Sequence, residues 1–296
     1  MGVCEVVELT RDYGRGRGVF DVSFSITGGE VFGFLGPNGA GKTTTIRHLM
    51  GFLKPEKGRC SMLGKDCWKY RAEIQKNVGY IPGEMVFFDD MTGMEFLNFM
   101  ATYRNTKSNS RAKELIYRFE LDARSKIKKM SKGTKQKVGI VAAFMHDPQV
   151  LILDEPTSGL DPLMQSRFIE LVTEEKARGK TILMSSHIFE EVERTCDRVA
   201  IIKNGKLVAT DNVNALKAAQ EKKYIVTLES EEAAAAFAAE GLRVSDITGT
   251  QVTVIVQSNL GELVSVMNRY PVTDLTVPNQ SLEEIFMQYF GGDREL

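Results

Sequence analysis

Apolar and polar positions alternate at the start of the chain, and residues 3–9 (VCEVVEL), 19–26 (VFDVSFSI) and 30–35 (EVFGFL) read as strands. A glycine-rich turn follows, and over 41–53 the apolar spacing becomes helical. The run NVGYIP (77–82) predicts a further strand. Residues 92–146 carry mainly helical patterns, among them MEFLNFMATYR, RAKELIYRFE and KQKVGIVAAFM. The run VLIL at 150–153 is apolar throughout. Alone it is ambiguous, but such a run suits a central parallel strand buried on both faces. Beyond it helix 161–178, strand 180–185, helix 187–196 and strand 198–203 alternate, which predicts an α/β layer with a mainly parallel sheet.

The pattern changes near 215–222, in the stretch ALKAAQEKK. Strand 223–229, helix 231–240, strands 242–247 and 251–257, helix 260–269, strand 272–277 and a last helix 281–290 are expected after it. Their β-α-β-β-α-β order matches a split, ferredoxin-like unit. The expected division is therefore a first domain over 1–215, with a helical part at about 84–146, and a second domain over 216–296.

Composition adds little that is unusual. The 296 residues are 43% hydrophobic and 26% charged, as in a globular protein with a real core. With 38 Lys+Arg against 39 Asp+Glu the formal net charge is −1, and no whole-protein field favours nucleic acid. Cys4, Cys60, Cys67 and Cys196 show no CxxC spacing, which fits reduced thiols better than a disulfide framework or a metal site. Acids interrupt the N-terminal stretch where a signal peptide needs an apolar run, and Val6 breaks the myristoylation pattern that Gly2 invites. No apolar run approaches the roughly 18–20 residues of a membrane helix. One local anomaly stands out: KIKKMSKGTKQK (126–137) holds six lysines and no acid. It lacks the aromatic interleaving of a nucleic-acid surface.

The chemistry begins at Gly36-Pro37-Asn38-Gly39-Ala40-Gly41-Lys42-Thr43, which fits G-x-x-x-x-G-K-[ST]. Its glycines allow successive backbone N–H groups to turn inward as an anion nest, and the following helix adds its positive N-terminus. Lys42 is expected to reach the β- and γ-phosphates and Thr43 to ligate Mg²⁺, with Thr44 beside them. Asp154-Glu155 ends the apolar run, at the strand edge where α/β sheets bind ligands. Asp154 is placed to hold Mg²⁺, and Glu155 to accept a proton from, or orient, the attacking water. His187 ends Ser185-Ser186-His187. Alone it reads as a helix cap or a satisfied polar group; beside these motifs it is a γ-phosphate sensor.

With the P-loop, VLILDEPTSGLD and SSH in order, residues of about 3–215 resemble the ATP-binding subunit of ABC transporters. The resemblance implies a P-loop NTPase cassette of α/β class: a mainly parallel core sheet, an antiparallel β subdomain and a helical subdomain. It implies ATP and Mg²⁺ as cofactors, Tyr13 stacked on adenine, and a D-loop over Ser158-Gly159-Leu160-Asp161. Met130-Ser131-Lys132-Gly133-Thr134 stands where the family has LSGGQ, with Lys132 in place of Gly. Ser131 and Gly133 are then expected to serve the γ-phosphate of a second ATPase subunit, so two cassettes, identical or similar, pair head to tail. After NVGYIP the family has Gln. Gly83-Glu84 stands here instead, leaving Glu84 or water to fill the place. The Phe- and Met-rich stretch 85–100 is expected to dock a separate transmembrane permease near Phe87, Phe88 and Met91, with core packing an equally good account of those three. The permease would hold the subunit at the cytoplasmic face of the membrane. The last 80 residues resemble the small α+β accessory domain of drug- and bacteriocin-exporter ATPases. A non-transport ATPase of translation or DNA repair is the alternative, but neither a second cassette nor a long coiled coil is present.

Overall fold

The computed structural model describes residues 2–88, 90–106, 109–213, 215, 222–256 and 260–278. It divides into two compact units, Met1–Val213 and Asn214–Leu296, so the break falls two residues before the expected one.

In the first unit β1 (Cys4–Asp12) and β2 (Gly18–Ile26) lead to β3 (Val31–Leu35), the phosphate-loop residues and α1 (Lys42–Leu49). β4 (Lys57–Met62), β5 (Lys65–Asp66), the short α2 (Arg71–Ile74) and β6 (Val78–Ile81) follow. Next come α3 (Gly93–Tyr103), α4 (Ser110–Arg118) and α5 (Lys132–Phe144). The remainder is β7 (Val150–Asp154), α6 (Pro162–Ala177), β8 (Thr181–Ser186), α7 (Phe189–Thr195), β9 (Arg198–Lys203) and β10 (Lys206–Asn212).

Two sheets carry this unit. The larger has the order β10-β9-β3-β8-β7-β6 and is parallel except for the β10 edge. All five residues of β3 and of β7 are buried, the pattern expected of parallel strands covered on both faces. The smaller sheet, β2-β1-β4-β5, is antiparallel. Its inward side chains meet those of the larger sheet in one apolar cluster, where the Phe24 ring stacks on Phe32 with centroids 5.3 Å apart. Strands β4, β5 and β10 were not expected. β4 buries only Cys60 and Met62, and β10 buries none of its residues, so neither has the apolar run that marks a strand.

Capping fixes the helix starts. In α3, Thr92 Oγ1 accepts from the Glu95 N–H at 3.2 Å while the Glu95 carboxylate accepts from the Thr92 N–H at 2.7 Å, a capping box. In α5, Ser131 Oγ accepts from the Thr134 N–H at 3.1 Å. In α6, Asp161 accepts from the Met164 N–H at 3.0 Å and Pro162 occupies the first turn.

The second unit runs β11 (Lys222–Leu228), α8 (Glu231–Ala238), β12 (Val244–Thr248), β13 (Gln251–Val256), α9 (Leu260–Met267) and β14 (Val272–Thr276). Its antiparallel sheet has the order β12-β13-β11-β14. Tyr224, Val226, Leu228, Val252 and Val254 from the strands pack with Ala234, Phe237, Leu263 and Val266 from the helices. The expected helix 281–290 lies outside the described residues.

Candidate nucleotide site

The site forms at the carboxyl ends of β3, β7 and β8, where an open α/β sheet binds its ligands. Register brings the ends together: Leu35 pairs with Ser186, and Asp154 with Ser185. The chain leaves β3 through residues 36–41 and enters α1 at Gly41, whose φ of +113° is a conformation L side chains rarely adopt. A Cβ there would also lie 2.8 Å from Val19, so this position requires glycine twice over.

Lys42 is buried, and its ammonium donates to the carbonyls of Gly36 at 2.7 Å and Pro37 at 3.3 Å. It stands 3.5 Å from Glu155 Oε1. Thr43 Oγ1 donates to Asp154 Oδ2 at 2.8 Å, and the Ser185 hydroxyl donates to Asp154 Oδ1. Asp154 is fully buried, and these hydroxyls supply the partners that a buried carboxylate needs. Glu155 adopts φ +49°, a strained conformation for a side chain with a Cβ. Its N–H donates to the Ser185 carbonyl at 3.2 Å, and its Oε2 lies 3.5 Å from His187 Nδ1.

A cavity of about 230 Å³ is lined by Tyr13, Arg17, Gly18, Pro37, Asn38, Gly39, Gly41, Lys42, Thr43, Thr44 and Glu155. The expected loop residues are thus gathered, with two exceptions. Gly36 takes part through its carbonyl, and Ala40 is buried with its carbonyl accepting from Gly205 at 2.9 Å. Tyr13 is half-exposed, with the Arg11 guanidinium 5.3 Å from its ring centre. Arg17 lines the same cavity and was missed, because an arginine in RDYGRGRG has no local mark that separates it from its neighbours. A larger hollow of about 950 Å³, lined in part by Tyr117, Arg118, Arg167 and Glu170, contains none of these residues. Its arginines are paired, Arg118 with Glu170 and Glu174, and Arg167 with Glu120.

Glu84 is exposed and does not line the nucleotide cavity. Position 83 is the one that faces Asp154: a Cβ on Gly83 would lie 3.1 Å from Asp154 Oδ2. Ser131, Gly133 and Asp161 also lie outside the cavity. Ser131 and Asp161 cap helices, and a Cβ on Gly133 would come within 2.6 Å of the Gly159 carbonyl. Gly133 therefore lets α5 close onto the loop after β7. Lys132 Nζ reaches the same loop, donating to Ser158 Oγ at 2.8 Å. Of the six lysines in 126–137, Lys128 pairs with Asp90 at 2.9 Å.

The donor set fits a nucleotide with a hard divalent cation. A hydroxyl and a carboxylate supply hard oxygens, and Mg²⁺ keeps most of its shell from water and phosphates. Among the described residues no group of three or more His, Cys, Asp or Glu could hold a metal, and a shared protein–phosphate site requires none. The described residues also contain no helix long and apolar enough to cross a membrane.

Residues 19–158 match the family described as ABC transporter. The bacitracin transport ATP-binding protein BcrA of Bacillus licheniformis is 33% identical over 299 residues, covering 98% of this chain and 98% of its own. The linearmycin resistance ATP-binding protein LnrL of Bacillus subtilis is 37% identical over 68% of this chain and 66% of its own. Among solved structures, an ATP-binding subunit of an ABC transporter aligns with TM-score 0.66 and 34% identity, over 73% of this chain and 92% of that one. A dimeric ATP-binding cassette in a post-hydrolysis state, bound to ADP and Pi, aligns with TM-score 0.65 at 21% identity over 71% and 98%, a likeness of fold. Sequence identity that runs from end to end of a transport ATPase, on the same fold, leaves one assignment: this chain belongs to the ABC transporter family, as an ATP-binding, ATP-hydrolysing subunit.

Proposed function

We propose that this subunit binds Mg-ATP between the phosphate loop and the ends of β7 and β8, and that Glu155 drives hydrolysis of the γ-phosphate. The observation that carries this reading is one cluster: Glu155 with Lys42 3.5 Å from one carboxylate oxygen and His187 3.5 Å from the other, beside Thr43 bonded to Asp154. Lys42 would exchange its carbonyl partners for the β- and γ-phosphates. Thr43 and Asp154 would hold Mg²⁺, which supplies charge neutralisation to the phosphates when bound. Glu155 is the carboxylate free to take a proton from water, since Asp154 is engaged by two hydroxyls. His187, half-exposed against Glu155, would hydrogen-bond the γ-phosphate.

Two such subunits would face each other, a pairing that the dimeric form of the structural relative supports, and Ser131, Gly133 and Asp161 would be directed to the partner's nucleotide. A separate membrane permease would dock on the apolar strip that includes Phe88, which is 54% exposed and meets Phe99 edge-on at 5.6 Å. Phe87 is half-buried against Phe96, with ring centres 5.0 Å apart, so it braces the strip from beneath. Met91 anchors the turn, donating its N–H to the Phe88 carbonyl at 3.1 Å. The transport direction proposed is export, by analogy with the bacitracin and linearmycin proteins. The subunit would then work at the cytoplasmic face, and the second unit would be an accessory domain with a ferredoxin-like strand order.

Glu155→Gln tests the mechanism. ATP turnover is expected to fall on the order of 10²–10⁴-fold, the range of a lost general base, with ATP still bound and a dimer trapped by ATP. Wild-type turnover in this variant would remove Glu155 as the base.

A further inference from the structure

Glu191 is a carboxylate that the chemistry above leaves unused, and it is only 3% exposed. It lies in the first turn of α7, and its two oxygens are divided between two loops. Oε1 accepts from the hydroxyl of Thr157, two residues after Glu155. Oε2 accepts at 2.9 Å from the hydroxyl of Ser186, the residue before His187. Ser186 Oγ in turn accepts from the Ile188 N–H at 2.9 Å, and of the two acceptors within reach of its single hydrogen Glu191 Oε2 at 2.9 Å is nearer than the Ile188 carbonyl at 3.3 Å. Burial pushes the Glu191 carboxyl up, while the two hydroxyl donors and His187 pull against that shift.

The loop after β7 is held from its other side as well. Gln136 of α5 donates to the Pro156 carbonyl at 2.6 Å, and Lys132 donates to Ser158 at 2.8 Å. Residues 156–158 are thereby gripped between α5 and α7. Glu191 is a side-chain tie between that loop and the residue before His187, added to the backbone bond from the Glu155 N–H to the Ser185 carbonyl.

We infer that Glu191 is a positioning residue: by accepting from Thr157 and Ser186 at once, it sets the approach of His187 to Glu155. Neither hydroxyl reaches Glu155 or His187 directly. Each sits two residues or fewer from one of them, on a backbone that the bond restrains. Losing the carboxylate would remove the restraint on Thr157 and Ser186 at once, and the catalytic pair would drift from its 3.5 Å approach. Small misplacements of this kind are costly to catalysis while leaving substrate binding intact.

The inference rests on the roles proposed for Glu155 and His187, and steady-state ATP turnover of the full chain tests it. Glu191→Ala is expected to lower kcat by roughly 10–100-fold, as loss of a supporting hydrogen-bond partner does, with KM for ATP unchanged. Glu191→Gln keeps the size and one acceptor, and its kcat is expected between the two. In a His187→Ala background the same Glu191→Ala change should add less than about threefold, because residues acting as a unit are not additive. Equal losses in both backgrounds would overturn the inference, as would a loss that vanishes once rates are normalised to the folded fraction. If Glu191→Ala does not fold, Thr157→Val removes one donor alone and should still lower kcat several-fold at constant KM; unchanged kcat there sinks the idea. The two failures are separable. Wild-type turnover in Glu155→Gln defeats the site reading, whereas wild-type turnover in Glu191→Ala beside an inactive Glu155→Gln defeats only this inference.

Discussion

The two units bury different things. In the described part of the second unit the core is an apolar cluster, and no buried polar or charged residue lies there. The described part of the first unit buries thirteen polar or charged residues, and seven of them, Lys42, Gln136, Asp154, Thr157, Ser185, Ser186 and Glu191, lie at or beside the carboxyl ends of its parallel strands. Burying a polar group is unfavourable unless a partner is supplied, and burying a charge more so. The first unit therefore carries a network of paired groups that hydrophobic packing alone would not require. The contrast locates chemistry in one unit and packing in the other.

The comparison breaks most readily in the second unit. Phe237 is fully buried, with its ring edge-on to Tyr270 at 5.5 Å. Phe237→Ala is expected to destabilise that unit by about 3–5 kcal/mol. Calorimetry should show an earlier transition for it while ATP turnover persists below that temperature. Turnover lost in step with the transition would show that the units do not divide the labour as described.

In the first unit the largest stability effect falls on the polar network. Ser185→Ala leaves Asp154 Oδ1 without its hydroxyl donor, and a loss of about 1–3 kcal/mol is expected in denaturant titration. A change within about 0.5 kcal/mol would mean that water replaces the hydroxyl without penalty. Gly133→Ala places a Cβ 2.6 Å from the Gly159 carbonyl. About 1–3 kcal/mol of overpacking is expected, together with reduced turnover because the loop of Pro156 and Ser158 must shift. An unaltered melting point would show that α5 yields freely.

The smallest effect concerns acid. Burial, with the Arg104 charge nearby, lowers the His146 pKa from 6.5 to about 4 against the opposing pull of backbone carbonyls. The unfolded chain takes up this proton first. The stabilisation is complete above about pH 6.5 and is lost as pH falls from there towards about 4. Unfolding free energies from denaturant titration at pH 7 and pH 5 should differ by less than about 2 kcal/mol from this group. His146→Asn should shrink the difference, and an undiminished one would assign the acid sensitivity elsewhere.

Much of the first unit was legible in the chain. Runs such as VFGFL and VLIL are apolar along their whole length, so their burial on both faces leaves a plain mark. β4 and β10 escaped because a half-buried or edge strand is written in mixed residues. The phosphate loop, Asp154-Glu155 and His187 were legible because their chemistry is local in sequence. Arg17, Ser185, Gln136 and Glu191 were not, since each is defined by a partner far along the chain. Position 83 shows the same limit. The sequence says that no side chain stands there, and only the fold shows that one would face Asp154.

By itself the sequence determined which groups this protein can bring to a nucleotide: the glycine-bounded loop, its lysine and threonine, an acidic pair and a histidine. It also determined the strand-helix rhythm that forces a parallel sheet, because periodicity and backbone freedom are properties of short stretches. The tertiary structure decided which of those groups meet. Thr43 and Asp154 are 111 positions apart and bonded at 2.8 Å. They meet because β3, β8 and β7 lie side by side in parallel with their carboxyl ends level, an alignment set by the packing of two buried faces. Whether Glu191 was an exposed helical acid or a buried tie between two loops was settled by the same packing, which removed water from Thr157 and Ser186 and left the carboxylate as their partner.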